Sequence, residues 1–448
     1  MKIALLSPKG PLYRHRGGIF RKSLRYAPLT LTTLASLVPE DITAQIVIYD
    51  EGVEDIPKNI DADLIGMTVI TGTARRAYFL AQRFRERGIP VVLGGPHVTL
   101  VPEEAALHAD AVVTGYAEDT WPQLLRDFAA GRMRPRYDQN PQLSLANRPF
   151  PRRDLLDGRR FMTKDVFEAT RSCAHACDFC VAPSAWGRRQ YQRPVEWVAE
   201  DIRRQGARKA IFIDLNLISD RGYAARLFEA LTPLGIRWFG LSTTLIARDR
   251  PLLELMAKSG CSGLLLGFES IVADTLKESH KGFNDPNAYA ELVEMLHGHG
   301  ISVMGCFVFG MDADTPEVID RTAQFTVDTG IDLPRFAVAT PFPGTPFFHR
   351  LEAEGRIISR NWEEYDGQHV VFQPARMTVA ELKAGHERAW RRAYSLTSIA
   401  RRLWRSRTQT ALAIAANMGY RFYARRLHQF YNCDWYVGQR EAGQGSPA

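Results

Sequence analysis

Cysteine is scarce: there are six in 448 residues, and three of them, Cys261, Cys306 and Cys433, stand alone. That number and scatter exclude a disulfide framework of the secreted kind. No apolar run reaches the ~18 residues of a membrane-spanning helix. The start, Met1-Lys2-Ile3-Ala4-Leu5-Leu6-Ser7-Pro8, is too short an apolar stretch for a signal peptide and reads as a first strand. These absences predict a protein of the cytoplasm. Acidic residues fall short of basic ones, 50 against 57, giving a net charge of +7. No RNA- or DNA-reading motif accompanies the excess, so nucleic acid is not the expected partner.

With 45% hydrophobic residues the chain can bury sizeable cores, and at roughly 150 residues per domain its length predicts two or three domains. Short apolar runs alternate with helical stretches from the start: Lys2 to Ser7, Gln45 to Tyr49, Leu64 to Thr68, Val91 to Leu93 and Ala111 to Thr114. This βα spacing predicts a doubly wound, Rossmann-like parallel sheet over residues 1–140. In such sheets ligands sit beyond the carboxyl ends of the strands. The loops there are Thr71-Gly72-Thr73, Gly94-Gly95-Pro96-His97-Val98-Thr99 and Gly115-Tyr116-Ala117-Glu118. The double glycine lets backbone approach a flat ligand closely, and the hydroxyls and His97 offer hydrogen bonds around it.

The clustered cysteines lie in Arg171-Ser172-Cys173-Ala174-His175-Ala176-Cys177-Asp178-Phe179-Cys180. C-x3-C-x2-C can wrap one face of a [4Fe-4S] cube and leaves the fourth iron open, where a cluster that only carries electrons normally takes four Cys. The rival readings are a zinc knuckle, which wants a fourth Cys or His nearby, and buried structural thiols. His175 sits inside the loop between two ligands, where it does not easily fold back onto the same metal. The isolated cysteines read as buried thiols.

From about residue 160 the alternation resumes with longer helices. Val166 to Thr170, Ala210 to Asp214, Trp238 to Thr243, Gly263 to Glu269, Val303 to Gly310 and Arg335 to Thr340 read as six strands of a partial (β/α)6 barrel over 141–375. Asp214, Asn216, Ser242, Thr243, Glu269 and Ser270 fall at the carboxyl ends, where each suits a ligand, a helix N-cap or a loop hydrogen bond. An aromatic link through Trp362, Tyr365, Asp366, His369, Phe372 and Pro374 leads into a helical region, 376–448. There Arg391, Arg392, Arg401, Arg402, Arg405, Arg407, Arg425 and Arg426 lie between aromatic and aliphatic positions. Such helices present a solvated face, or a peripheral contact for an anionic membrane surface or an acidic substrate.

The cysteine spacing, with Phe179 before the last Cys, resembles the signature of the radical S-adenosylmethionine (SAM) superfamily. That resemblance implies SAM on the open iron, cleaved to a 5′-deoxyadenosyl radical, with Phe179 beside its adenine and Asp214, Asn216, Thr243, Glu269 and Ser270 around it. Relatives commonly carry a Gly-Gly-Glu-like motif where this chain has Asp214-Leu215-Asn216. Pro341-Phe342-Pro343-Gly344-Thr345 resembles the family's Pro-x-Pro-Gly-Thr turn. The string from Val91 to Trp121 is similar to the cobalamin-binding domain fused to many of these enzymes, which implies cobalamin contacts from Thr71, Gly94, Gly95, His97, Thr99, Gly115 and Glu118. The histidine loop Asp-x-His-x-x-Gly is absent; its place reads Ser7-Pro8-Lys9-Gly10-Pro11-Leu12. The chain thus resembles class B radical SAM methyltransferases. Implied are transfer of a methyl group, through methylcobalamin and the radical, to an unactivated carbon of a small-molecule, tetrapyrrole or lipid intermediate, and a flavodoxin- or ferredoxin-type electron donor. Cyclisation or rearrangement, aminocarboxypropyl transfer and a cobalamin or cluster sensor remain the alternatives.

Overall fold

The computed structural model describes residues 1–10, 25–406, 408 and 410–427; Pro11, Leu12, Arg407 and Cys433 lie outside them. The first sheet is all parallel, with strands β1 (Lys2–Ser7), β2 (Gln45–Asp50), β3 (Leu64–Thr68), β4 (Val91–Gly94), β5 (Ala111–Thr114) and β6 (Arg136–Asp138) in the order β2-β1-β3-β4-β5-β6. In β1 every residue from Ile3 to Leu6 is buried, and alternate side chains enter opposite cores: Ala4 and Leu6 on one side, Ile3 and Leu5 on the other. A strand covered on both faces reads as a continuous apolar run, which is why these five strands were visible in the sequence. β6 was not expected; its three residues include no aliphatic side chain.

The second sheet also has six parallel strands. They are β7 (Val166–Phe167), β10 (Lys209–Phe212), β11 (Arg237–Ser242), β12 (Cys261–Glu269), β13 (Ser302–Phe309) and β14 (Leu333–Val338), ordered β14-β13-β12-β11-β10-β7. β7 and β14 are edges that do not meet, so the barrel is partial, as expected. The expected strand Val166 to Thr170 is broken at Glu168. Beyond it β8 (Thr170–Arg171) pairs antiparallel with β9 (Tyr191–Gln192), forming a small ribbon that carries the cysteine loop.

The open edge at β14 is covered by the C-terminal helices. His386 and Trp390, on the helix Val379–Ala393, reach the Phe336 carbonyl at 3.0 and 3.1 Å, and the Tyr394 hydroxyl donates to the Pro334 carbonyl at 2.8 Å. An edge strand's unpaired carbonyls thereby gain partners and the edge is blocked. Arg402 corrects one expectation, for it is not part of a basic surface. Fully buried, it donates to the carbonyls of Ile331, Asp332 and Ala393 and to Asn417, tying the end of the helix Val379–Ala393 to the turn that leads into β14. Arg391, Arg392 and Arg401 face Glu387, Gln324 and Asp328. No helix among the described residues is long and apolar enough to cross a membrane.

Burial lowers His386 to about 4, the Phe336 carbonyl working against that. The unfolded imidazole, near 6.5, takes its proton first, so the stability of this closure is whole above about pH 6.5 and is lost as pH falls toward 4. Unfolding midpoints followed between pH 7 and 4 should fall more steeply in the native protein than in His386→Gln.

Candidate functional site

A cavity of about 370 Å³ lies between the two sheets. One wall is the first sheet's carboxyl edge: Thr68, Gly94, Gly95, Gly115 and Glu118, backed by Leu29, Leu34 and Trp121. The other is the mouth of the barrel: Glu168, Thr170, Arg171, Ser172, Ile213 and Leu215. Gly95 is required here. Its φ is +101°, and a Cβ would stand 2.8 Å from the backbone of Val69. Tyr116 and Trp186, one from each wall, stack at 5.3 Å.

A chain of buried charges joins the walls. Arg171 pairs with Glu118 of the first domain and, at 2.7 Å, with Glu168; Arg193 reaches the same Glu168 at 3.1 Å. Burial pulls the Arg171 guanidinium down, but Glu118 and Glu168 hold it above its ordinary value. Burial pushes Glu168 up, while Arg171 and Arg193 keep it below the usual carboxylate range. Glu118 is 2% exposed and its oxygens have no hydrogen-bond partner beyond that ionic contact. The next residue after Arg171, Ser172, has φ +67° and donates to the Gly187 carbonyl.

Cys173, Cys177 and Cys180 are free thiols. Burial pushes Cys177 up to about 12; Lys281 opposes, and Cys180, Glu269 and Cys173 add to the rise. Burial likewise raises Cys180. A protonated thiol in so dry a place gives up its proton when metal replaces it. Among the described residues no three His, Cys, Asp or Glu side chains converge closely enough to hold one metal ion. A [4Fe-4S] cube spreads its thiolates over separate irons, one to each cysteine. His175 is turned away, stacked on Phe283 at 4.1 Å. Among the described residues four non-glycine residues have positive φ, and three of them, Ser172, Glu269 and His280, surround the thiols, the fourth being Asn147. Backbone strain concentrated in this way marks a functional site.

The strand-end residues divide. Glu269 lies beyond a register shift in β12 and pairs with Lys281. Burial pulls the Lys281 ammonium down, yet Glu269 and Cys177 hold it above its ordinary value. Thr243 keeps a buried hydroxyl without a partner, an opening for a ligand. Asn216 accepts from the Ile218 N–H at 3.3 Å, and Ser270 from the Val272 N–H at 3.1 Å. Phe179 packs on the barrel core. Asp214 is already occupied: it accepts from the backbone N–H groups of Ala169 and Thr170 and from the Thr170 hydroxyl, holding the ribbon that leads to the cysteines. Its carboxyl is pushed up to about 7 by burial and by Glu168, against those donors.

On the first-domain side Gly94, Gly95, Gly115 and Glu118 line the cavity, whereas Thr71, His97 and Thr99 do not. His97 is fully buried, bridging the Thr71 hydroxyl at 3.3 Å and the Tyr78 hydroxyl at 3.1 Å, and Thr99 ties Gly95 to Gly115. The short helix Pro96–Leu100 turns these side chains behind the glycine loop, so they brace it. Tyr116 and Arg171 lie in runs read from the sequence, but nothing in the order of residues marks their side chains as functional; Trp186 and Lys281 lie outside those runs.

Comparison with known proteins completes the assignment. The radical SAM superfamily pattern matches residues 167–326, the B12 binding domain residues 31–125, and a domain of unknown function residues 345–445. A bacteriochlorophyllide d C-12(1)-methyltransferase of Chlorobaculum tepidum is 30% identical over 395 residues, 84% of each chain. The chain belongs to the cobalamin-binding radical SAM methyltransferases. A bacteriochlorophyllide d C-8(2)-methyltransferase of the same organism is 32% identical over 78% of this enzyme and 81% of its own length. The hopanoid C-2 methylase of Rhodopseudomonas palustris is 25% identical over 74% of this enzyme and 65% of its own length. The TsrM methyltransferase of Kitasatospora setae, solved with cobalamin and a [4Fe-4S] cluster, shares the fold at a TM-score of 0.60 and 18% identity, over 79% of this enzyme and 75% of that chain. The enzyme's cofactors are therefore a [4Fe-4S] cluster, SAM and cobalamin.

Asp214→Ala leaves two buried N–H groups without an acceptor, a loss of roughly 2–4 kcal/mol. Reconstituted Asp214→Ala should retain less iron through gel filtration than the native enzyme and unfold at lower urea, with Asp214→Asn between them.

Proposed function

We propose that this enzyme methylates an unactivated carbon of a small-molecule intermediate, and that tetrapyrroles are the first class to test because two relatives act on bacteriochlorophyllide d. The observation that carries the reading is the shared cavity: the glycine loop of the first sheet and Arg171-Ser172 of the cysteine loop open into one space. When bound, the cluster with SAM supplies a carbon-centred radical, and cobalamin a methyl carrier. In our reading residues 1–140 seat cobalamin, 141–375 hold the cluster and SAM, and 376–448 recognise substrate. Cys173, Cys177 and Cys180 hold three irons. Gly94, Gly95 and Gly115 bring backbone against the cobalamin face, and Glu118 fixes Arg171 behind it. Thr243, Asn216, Glu269 and Ser270 surround SAM, with Phe179 near its adenine. Tyr116 stacked on Trp186 shields the space from water, which strengthens every charge inside it. A flavodoxin- or ferredoxin-type protein supplies the electron. Exposed Trp404, Leu412, Ile414 and Met418 with nearby arginines offer a peripheral contact to an anionic membrane.

Two measurements test this. Iron and sulfide analysis of anaerobically reconstituted protein should find one [4Fe-4S] cluster, abolished when all three cysteines become Ala; full cluster content in that variant, or zinc alone in the native protein, overturns the ligand set. No histidine among the described residues lines the cavity, so bound cobalamin should show a base-off spectrum without imidazole coordination.

With SAM carrying a deuterated methyl group, the label should reach the product, and S-adenosylhomocysteine and 5′-deoxyadenosine should form in near-equal amounts once substrate-free cleavage is subtracted. Converted substrate without label establishes cyclisation or rearrangement instead, and methylthioadenosine establishes aminocarboxypropyl transfer.

A further inference from the structure

The barrel interior has a second polar feature, on the wall away from the cysteine loop. Along β14 the buried Pro334, Phe336 and Val338 alternate with Leu333, Arg335 and Ala337. Phe336 faces the outer helices, stacking on Phe309 at 5.6 Å and meeting Trp390 edge-on at 5.7 Å. The period of two in a strand then turns Arg335 inward. It stands opposite Cys306 of β13 in the strand register. Cys306 is pushed up to about 11 by burial, and the charges it senses are Arg335, Glu269 and Lys281. Cys306 thus lies between Arg335 and the Glu269–Lys281 pair beside the cluster cysteines. The other titratable groups near Arg335 are Tyr420, Tyr423 and Tyr394, all from the C-terminal region, and Tyr423 is bonded to Gln368 of the aromatic link at 3.2 Å.

Arg335 differs from the other arginines of the interior. Arg153, Arg171 and Arg193 hold carboxylates and Arg402 holds carbonyls, whereas no hydrogen bond or ion pair reaches the Arg335 side chain among the described residues. Its side chain is reached by solvent, yet burial pulls its charge down while Tyr420 and Cys306 hold the guanidinium above its ordinary value. A guanidinium with no partner of its own that solvent can reach is a fork for a carboxylate, and the nearby rings of Tyr394, Tyr420 and Tyr423 suit a flat, apolar body attached to that acid.

We infer that Arg335 anchors the carboxylate of a tetrapyrrole acid, placing the substrate between the C-terminal helices and the SAM site. This rests on the methyltransferase reading above and deepens it. SAM also carries a carboxylate, but the cation whose charge acts on both Cys177 and Cys180 is Lys281. A methionyl carboxylate held at the cluster meets Lys281 first, and Arg335 stands on the far side of Cys306.

The test is equilibrium dialysis of the cofactor-loaded enzyme against bacteriochlorophyllide d as the free acid and as its methyl ester. The acid should bind at least tenfold more tightly than the ester. Arg335→Gln should lose roughly 10- to 100-fold in affinity for the acid and little for the ester, Arg335→Lys should recover part of the loss, and SAM affinity should stay at the native value. Equal binding of acid and ester by the native enzyme, no binding of either, or unchanged acid affinity in Arg335→Gln overturns the anchor. A loss of SAM affinity assigns Arg335 to the methionyl carboxylate and overturns it equally. Because the readout is binding, a preference for the acid without transfer of methyl label defeats the methylation reading and leaves the anchor standing.

Discussion

The site depends on one buried ionic chain, Glu118–Arg171–Glu168–Arg193. Four charges taken out of water are tolerable only in company, since removing one partner of a buried pair typically costs about 3–5 kcal/mol. Its position gives it importance. Glu118 ends the last cavity-lining loop of the first sheet, and Arg171 is two residues before Cys173. The separation between the glycine loop and the cysteines is therefore set by ionic contacts at the cavity wall. Asp214 fixes the same ribbon from the barrel side, through backbone N–H groups of Ala169 and Thr170.

A second tie lies along the far rim. The Trp362 indole donates to Glu104 at 3.0 Å, and Arg75 donates to Asn361 at 3.0 Å, so the link after the barrel is bonded to the first domain. Gly344, at φ +75°, lies so close to Leu100 that a Cβ would be 3.2 Å away. The prolines around it hold this turn against the helix Pro96–Leu100, while the next helix touches the cysteine loop through the Phe347 N–H and the Asp178 carbonyl. One rigid turn thus touches both the helix behind the glycine loop and the cysteine loop.

Much of this was legible in the amino-acid order. Parallel strands covered on both faces announce themselves as apolar runs, and the cysteine spacing and the glycine loop carry their chemistry on their face. What was not legible is direction and pairing. His97 belongs to the expected loop, but a short helix turns it inward to Tyr78, and its polarity is spent on bracing. Asp214 stands at a strand end, where a ligand contact and a backbone contact look alike in sequence. Arg402 lies in a basic helix whose arginines differ only in which way they face. Arg171, Lys281 and Arg335 are ordinary basic residues until the fold supplies their neighbours.

The strand order β14-β13-β12-β11-β10-β7 has a consequence for how such an enzyme diversifies. The cysteine ribbon follows one edge strand, and the C-terminal helices cover the other, bonded to carbonyls at Pro334 and Phe336. Backbone carbonyls accept from any donor of suitable reach, so this seam asks little of the covering segment's identity. If that segment recognises the substrate, as proposed above, a lineage can rebuild it and acquire a new acceptor molecule while the cysteine end of the sheet stays untouched, as a tool changes its jaw and keeps its handle.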